Sequence, residues 1–149
     1  MKIKRVIINN FRAFKHEEFE FADFNCIIGK NDSGKSTILA ALKWFFNEGK
    51  FEKEDTNVNV GDENEDVSVE IYFSQVDFSD ELFDKDFLDE NKNVRISKII
   101  TNPRFMDSDI VKPIPYYSMQ TNCFDNRNKI FSDCSLEELM EECIELNIK

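Results

Sequence analysis

The amino-acid sequence predicts an α/β domain in which a mixed sheet, partly antiparallel, packs against a helix. Residues 2–8 and 24–28 are short runs of β-branched and other apolar side chains, a composition typical of strands. Residues 36–46 combine good helix formers with apolar side chains at helical spacing. Residues 67–73 and 94–100 alternate between apolar and polar side chains, which predicts two half-buried strands antiparallel to each other.

The composition is that of one domain with a substantial core. The chain has 149 residues, of which 41% are hydrophobic and 15 are Phe, and a domain of this length buries roughly 70% of its unfolded surface. No apolar run approaches the ~18–20 residues that span a membrane, and the N-terminus lacks the apolar core of a signal peptide. The cysteines lack metal-binding spacing and are predicted to be reduced. We therefore expect a cytoplasmic protein without membrane contact.

The net charge of −11 is unevenly distributed along the chain. Residues 1–50 carry a net charge of +3, and residues 51–149 carry −14. This acidic excess argues against nucleic-acid binding by the whole surface, because phosphate contacts need clusters of cations. Only the first third of the chain has the charge to hold a polyanion. The acidic runs at 62–66 and 77–90 are interpreted as solvated faces.

The remaining segments can be assigned from local patterns. Phe19 to Phe21 alternates as a strand does, and the helix at 36–46 is predicted to bury one face formed by Leu39, Leu42, Phe45 and Phe46. Residues 47–66 place Asn and Gly among acidic side chains and predict an exposed connection. Ser79 is a candidate N-cap for a helix that reaches Leu88, and a capping-box pattern at Ser135 opens a C-terminal helix.

A glycine-rich segment directly after the predicted strand at 24–28 is the candidate site. It reads Gly29-Lys30-Asn31-Asp32-Ser33-Gly34-Lys35-Ser36-Thr37 and matches G-x-x-x-x-G-K-[ST], the phosphate-binding P-loop. Its two glycines allow the backbone to curl so that the amide N–H groups of 30–36 surround phosphate oxygens. Lys35 supplies a cation for the β- and γ-phosphates, Ser36 a hydroxyl ligand for Mg²⁺, and Thr37 a hydroxyl near the α-phosphate.

The flanking elements support this interpretation of the motif. A P-loop needs a strand before it and a helix after it, and both are predicted here independently of the motif. The helix also points the positive end of its dipole at the bound anion. The alternative, a surface turn with an unoccupied lysine, explains neither flank. The sequence therefore predicts a site for ATP and Mg²⁺.

The segments around the motif narrow the class of protein. Asn10-Phe11-Arg12 lies 17 residues before the first P-loop glycine, counted from Arg12, and Asn31-Asp32-Ser33-Gly34-Lys35-Ser36-Thr37 follows. This arrangement resembles the N-terminus of the ABC-type ATPases that include the structural-maintenance-of-chromosomes (SMC), RecF and overcoming-lysogenization-defect (OLD) proteins. The Asn-Asp-Ser-Gly form is more similar to the OLD-type branch, whose members act in DNA repair and phage defence. The close match covers residues 1–46.

The resemblance implies roles for individual residues. Lys35, Ser36 and Thr37 would serve the phosphates and Mg²⁺, Asn31 would lie beside the γ-phosphate, and Arg12 would lie near the nucleotide. Arg12 could equally be an ordinary solvated arginine. The family also has a glutamine that senses Mg²⁺ and the attacking water, for which the chain offers only Gln75 and Gln120.

The resemblance also implies that the chain is one partial ATPase domain over residues 1–149. Its parts would be strands, P-loop and first helix at 1–46, the connection at 47–66, antiparallel strands and loops at 67–134, and a helix at 135–148. In this family a C-terminal half contributes the signature motif, the acidic metal ligand and the catalytic glutamate, and no segment of 51–149 resembles them. We therefore expect ATP binding without hydrolysis by this chain alone.

The expected partners follow from the same resemblance. They are the C-terminal half of the ATPase, a second ATPase head, and DNA through the complete assembly. The chain is interpreted as a fragment or as one half of a split enzyme. The competing hypothesis is an acidic module that docks a protein or mimics DNA and carries a vestigial P-loop. A small nucleotide kinase or GTPase fits less well, because Asn91-Lys92-Asn93-Val94 lacks the Asp of a base-specificity motif.

Overall fold

The structure is a computed structural model that describes residues 1–30, 34–59, 66–75, 89, 91–103, 113–119 and 129–132. The described elements are β1 (Lys2–Phe11), β2 (Phe14–Glu20), α1 (Lys35–Phe45), a 3₁₀ turn (Lys53–Asp55), β3 (Val67–Ser74), β4 (Val94–Ile100), β5 (Tyr116–Met119) and β6 (Lys129–Ser132). The predicted strands at 2–8, 67–73 and 94–100 and the predicted helix at 36–46 are confirmed. The strands β5 and β6 were not predicted.

The six strands form one sheet in the order β2-β1-β3-β4-β5-β6. Every pairing between them is antiparallel, including the predicted one between β3 and β4. The mixed sheet predicted from the sequence is therefore not found among the described residues. In register, Val6 of β1 lies opposite Ile71 of β3, which lies opposite Ile96 of β4.

One face of this sheet carries the core because its strands alternate in polarity. Along β3, Val67, Val69, Ile71 and Phe73 are buried with at most 2% exposure, while the residues between them are half-buried. The buried positions of β1 and β4 line up on the same face. Most polar side chains of β1, β3 and β4 then fall on the opposite face, although Lys98 of β4 is buried on the apolar one.

The helix α1 covers the apolar face with Ile38, Ala41, Trp44 and Phe45, each at most 5% exposed. The predicted buried face is wrong in part, because Leu39 is 56% exposed. Leu42 and Phe46 are partly buried and pack against the edge of the core, and together with Leu39 they also line an open cleft of about 500 Å³. A helix that is apolar on two faces is typical of a position between two layers.

The predicted buried strand at 24–28 is wrong in this structure. These residues form no strand, and Phe24 and Ile28 are 86% and 88% exposed. A strand exists only when neighbouring strands satisfy its backbone groups, and the described sheet provides no such neighbour for this segment. The apolar run therefore remains exposed and outside the sheet.

The predicted exposed connection at 47–66 is partly buried. Phe51, Asp55 and Asn57 are 8%, 6% and 4% exposed, and Thr56 forms a β-bridge with Phe11. This part of the chain packs beneath the turn between β1 and β2, where it meets Trp44. The predicted helices at 79–88 and 135–148 lie outside the described residues. Among the described residues, no helix reaches the length and apolarity needed to cross a bilayer.

Candidate functional site

The candidate site lies where the exposed segment 24–30 leads towards the first residue of α1. Gly34 is the N-cap of this helix, with φ +84°, in the left-handed region that favours glycine. The ring of Phe14, at the start of β2, packs directly against Gly34: a Cβ added there would lie 2.5 Å from Phe14 Cε1. Both the positive φ and the close approach of Phe14 therefore require a glycine at position 34.

The side chain of Lys35 folds back over the loop that precedes it. Its Nζ donates a hydrogen bond to the carbonyl of Gly29 at 2.5 Å and another to the carbonyl of Lys30. Gly29 and the side chain of Lys35, the first residue of α1, are therefore adjacent in space. The ammonium of Lys35 thus lies beside the first two residues of the motif.

The N-terminal turn of α1 is electrostatically suited to an anion. It contains no acidic residue, and no side chain among the described residues caps it. The helix dipole places partial positive charge at this end, next to the Lys35 ammonium. Ser36 is exposed and Thr37 is 5% exposed, so the two predicted hydroxyl ligands differ in access to solvent.

Arg12 lies in the two-residue turn that joins β1 to β2, with φ +48°. Its Nε donates to Oδ1 of Asp55 at 2.6 Å, and its backbone N–H donates to the Asp55 carbonyl, also at 2.6 Å. Asn57 Nδ2 donates to the Arg12 carbonyl at 2.6 Å. Arg12 is therefore not simply solvated, because the described contacts tie it to the segment that contains the 3₁₀ turn. None of these contacts reaches Gly29, Gly34 or Lys35.

Asp55 is the centre of this contact network. Its Oδ1 accepts from Arg12, and its Oδ2 accepts from the backbone N–H of Glu52 at 2.9 Å, which closes a capping box around the 3₁₀ turn. The Asp55 side chain is 9% exposed and that of Arg12 is 44% exposed. A carboxylate this buried is stabilised only while its donors are present.

We expect Asp55→Ala to lower the free energy of unfolding by about 1–3 kcal/mol, since two donors lose their acceptor. Thermal unfolding followed by circular dichroism measures this. Glu54→Ala is the matched control, because Glu54 is the exposed acidic neighbour in the same turn. Equal melting temperatures for the two variants would contradict the structural role of Asp55.

The other predicted site residues divide into two groups. Gly29 and Lys30 are described and lie beside Lys35, whereas Asn31, Asp32 and Ser33 lie outside the described residues, as does Gln120. Gln75 is described, has φ +53°, and borders an open cavity with Lys4, Arg5 and Tyr72 on the polar side of the sheet. The geometry brings Gly29, Lys30, Gly34 and Lys35 together and places Gln75 in a different cavity.

Sequence reasoning missed two contributors to the site. Phe14 lies outside the glycine motif, yet its ring packs against Gly34. Asp55 lies in a segment that composition marks as exposed, yet it holds the turn of Arg12. A buried acidic residue among exposed ones has no signature in a single sequence, and the Phe14 contact depends on the hairpin register.

The family of the chain follows from a comparison with family models. The model described as AAA ATPase domain matches residues 1–148. The chain belongs to this family. Because the match covers nearly the whole chain, the exposed segment 24–28, the Gly34 turn and the antiparallel sheet are parts of this AAA ATPase domain.

Individual relatives of the AAA ATPase domain extend this assignment. An SMC protein 3 homolog of Plasmodium falciparum is 26% identical over 129 residues, 83% of this chain and 10% of its own length. The DNA replication and repair protein RecF of Haemophilus ducreyi is 44% identical over 43 residues, 28% of this chain and 12% of its own. An uncharacterised protein of Methanocaldococcus jannaschii is 35% identical over 82 residues, 51% of this chain and 25% of its own. The domain is thus related to the SMC and RecF ATPases.

The fold agrees with a solved structure from the same group. A chain from a study entitled "Structural biochemistry of ATP-driven dimerization and DNA stimulated activation of SMC ATPases" superimposes with a TM-score of 0.53 at 18% identity. The superposition covers 98% of this chain and 77% of that chain. The domain therefore has a P-loop-ATPase-like α/β fold. It spans a quarter or less of the length of its curated relatives.

Proposed function

We propose that this AAA ATPase domain binds ATP with Mg²⁺ as the N-terminal portion of an SMC/RecF-like ATPase. The observation that carries the proposal is the position of Lys35, whose ammonium lies against the Gly29 carbonyl at 2.5 Å, at the N-terminal end of α1. A cation, the backbone at Gly29 and a helix N-terminus then lie close together. Phosphate is the ligand that these three features together favour.

The described residues fit the phosphates of a nucleotide. The carbonyl partners of Lys35 are neutral acceptors, so a phosphate oxygen would be a stronger partner for its ammonium. Lys35 would hold the β- and γ-phosphates, Ser36 is exposed and would ligate Mg²⁺, and Thr37 would lie near the α-phosphate. Gly29, Lys30 and Gly34, with Asn31, Asp32 and Ser33 between them, would contribute backbone N–H groups. Bound Mg²⁺ would neutralise charge on the phosphates.

Arg12 is proposed as a secondary contact on the β1 side of the nucleotide. Among its described hydrogen bonds, Nε donates to Asp55. The Nη1 and Nη2 groups would donate to a phosphate or to the ribose. The ion pair with Asp55 would then hold the guanidinium in one orientation. This reduces the side-chain entropy that Arg12 would lose when it contacts a ligand.

We further propose that residues 1–149 form one partial ATPase domain, an ABC-ATPase-type N-terminal lobe completed by a C-terminal half. Two exposed apolar surfaces support this. Phe24 and Ile28 lie on an unpaired segment, and Leu39 lies on the outer side of α1. A C-terminal half that supplied parallel strands beside 24–28 would bury both, and it would bring the remaining catalytic groups. Hydrolysis would then require this half and a second ATPase head.

The biological setting belongs to the same proposal. The RecF relative is named for DNA replication and repair, and the SMC study concerns ATP-driven dimerisation and DNA-stimulated activation. We propose that the complete protein acts in DNA repair or in defence against phage, with DNA contacted by the assembly. The charge of −11 on this chain makes the chain itself a poor DNA-binding surface.

A nucleotide titration tests the proposal directly. We expect a fluorescent ATP analogue to bind the 149-residue chain in the presence of Mg²⁺ and to lose affinity by roughly 10- to 100-fold in Lys35→Ala, the equivalent of one charge-assisted contact. Chelation of Mg²⁺ should also weaken binding.

Lys43→Ala is the matched control for this titration. Lys43 carries the same charge on the same helix but lies in its last turn and is exposed, so its removal should leave the affinity unchanged. Equal losses in both variants would indicate a general charge effect. If no nucleotide binds even after a C-terminal half is added, the nucleotide site fails, and the acidic docking module becomes the better hypothesis.

A further inference from the structure

A lysine lies in the middle of the apolar face of the sheet. On β4, Val94, Ile96 and Ile100 face the core with at most 1% exposure, and Lys98 shares that face at 3%. In register it lies between Val69 of β3 and Tyr117 of β5. A buried ammonium is costly unless it is paired and hydrogen-bonded, so its contacts indicate what it does.

Those contacts lie at the C-terminal end of α1. Lys98 Nζ donates to the carbonyl oxygen of Trp44 at 2.7 Å and to Oδ1 of Asn47. The ammonium also lies 5.3 Å from the centre of the Trp44 ring and 5.0 Å from that of the Tyr117 ring. A helix C-terminus carries partial negative charge, and aromatic faces attract cations. The site is therefore suited to a positive charge at every contact described.

The last four carbonyl groups of α1 all have donors, and two of these donors belong to the sheet. Three of these carbonyls accept from backbone N–H groups just after the helix: Leu42 from Phe46 at 3.0 Å, Lys43 from Glu48 at 2.8 Å and Trp44 from Asn47 at 3.1 Å. The Trp44 carbonyl also accepts from Lys98, and the Phe45 carbonyl accepts from the Tyr117 hydroxyl. Carbonyls at a helix end lack partners within the helix. Here β4 and β5 supply donors to two of them, the carbonyls of Trp44 and Phe45, so polar bonds fix this end of α1 to the sheet.

The other end of α1 is held differently. Its N-cap, Gly34, makes no side-chain capping bond, and the contacts described there include the packing of Phe14 and the hydrogen bonds from Lys35 to the preceding loop. The helix has 11 residues, which makes it about 16 Å long, and a tilt of about 5° about its C-terminal end would move its N-terminal end by about 1.4 Å. The orientation of the loop at Lys35 therefore depends on how the far end is fixed.

We propose that Lys98 is a positioning residue for the phosphate loop: by binding the C-terminal carbonyls of α1 from within the sheet, it sets the direction of the helix and so the placement of Lys35. Tyr117 acts with it through Phe45. The proposal rests on the proposed nucleotide function, and it assigns a role in nucleotide affinity to a residue one helix length from the site.

The test compares nucleotide affinity with stability in the 149-residue chain. Lys98→Met removes the charge and the hydrogen bonds but keeps the length of the side chain, and we expect it to weaken binding of a fluorescent ATP analogue with Mg²⁺ by about tenfold. Lys98→Arg keeps the charge and should recover part of the affinity. Val94→Ala is the stability control, because Val94 is equally buried on the same face of β4, four residues away.

The outcomes separate positioning from general destabilisation. Val94→Ala should lower the melting temperature and leave affinity unchanged, whereas Lys98→Met should lower affinity at temperatures where it is folded. If Lys98→Met binds as the unaltered chain does, or if both variants lose affinity in proportion to their melting temperatures, the positioning role is overturned and the nucleotide site stands. If the unaltered chain binds no nucleotide even after a C-terminal half is added, both proposals fall.

A second variant keeps the test decisive if Lys98→Met does not fold. Tyr117→Phe removes one hydroxyl and keeps the ring, so we expect this variant to fold. We expect a smaller loss of affinity in the same direction, about threefold. Unchanged affinity in this variant would overturn the coupling between the sheet and the loop.

Trp44 is the single tryptophan of the chain, and its fluorescence reports directly on this end of α1.

Discussion

Replacement of Trp44 by Ala is expected to lower the free energy of unfolding by about 3–5 kcal/mol. Trp44 is 3% exposed and stacks on Phe11 with ring centres 5.8 Å apart and an angle of 19°. Its ring also lies 5.1 Å from that of Phe51. One side chain thus joins α1, the end of β1 and the connection after the helix, and its loss leaves a cavity where these three meet.

Urea unfolding followed by far-ultraviolet circular dichroism measures this effect, because the variant lacks the only tryptophan. Leu39→Ala is the matched control on the same helix. Leu39 is 56% exposed on the outer side of α1, so its truncation should cost within about 0.5 kcal/mol. Domains of this kind have about 5–15 kcal/mol of stability, so the Trp44 variant should unfold at much lower urea. Similar midpoints for the two variants would contradict the assigned core.

The outcome at Leu39 also shows what periodicity can and cannot predict. The apolar residues of α1 were correctly placed on a helix, but the face chosen as buried was partly the outer one. Because α1 carries apolar residues on two faces, spacing alone could not say which face meets the sheet. The alternating strands β1, β3 and β4 posed no such problem, since each has a single apolar face.

The prediction of a strand at 24–28 was wrong for a different reason. Its composition fits a buried strand, but a strand forms only with neighbours, and the antiparallel sheet of the described residues offers none to this segment. Lys98 illustrates a third limit. Alternation along β4 places a lysine on the apolar face, and only the three-dimensional contacts with Trp44 and Asn47 explain it.

The glycine motif correctly predicted where the helix begins, because its second glycine meets a backbone requirement. Gly34 adopts φ +84° at the predicted start of the helix. The motif could not reveal which side chain lies against that glycine. That information comes from the β1–β2 register, in which Phe11 pairs with Phe14 and the ring of Phe14 reaches Gly34.

Gly34→Ala is therefore expected to lower the free energy of unfolding by about 2–5 kcal/mol. A non-glycine residue in the left-handed region costs roughly 1–2 kcal/mol, and the new Cβ would lie 2.5 Å and 2.6 Å from Cε1 and Cζ of Phe14. Overpacking of this kind costs about 1–3 kcal/mol. Chemical denaturation of Gly34→Ala, Phe14→Leu and the double variant Gly34→Ala/Phe14→Leu measures the conformational cost and the overpacking cost separately.

The double variant separates the two causes, because only one of them involves Phe14. Phe14→Leu alone removes the contact with Phe19, whose ring centre lies 5.5 Å away, and should be mildly destabilising. Combined with Gly34→Ala, it opens space for the Cβ, so the double variant should be more stable than the sum of the single effects by about 1–2 kcal/mol. Strict additivity would mean that the ring does not press on the loop and that the cost at Gly34 is conformational alone. Recovery of stability without recovery of ATP binding would show that the loop needs the positive φ of Gly34 for its ligand as well as the space for its fold.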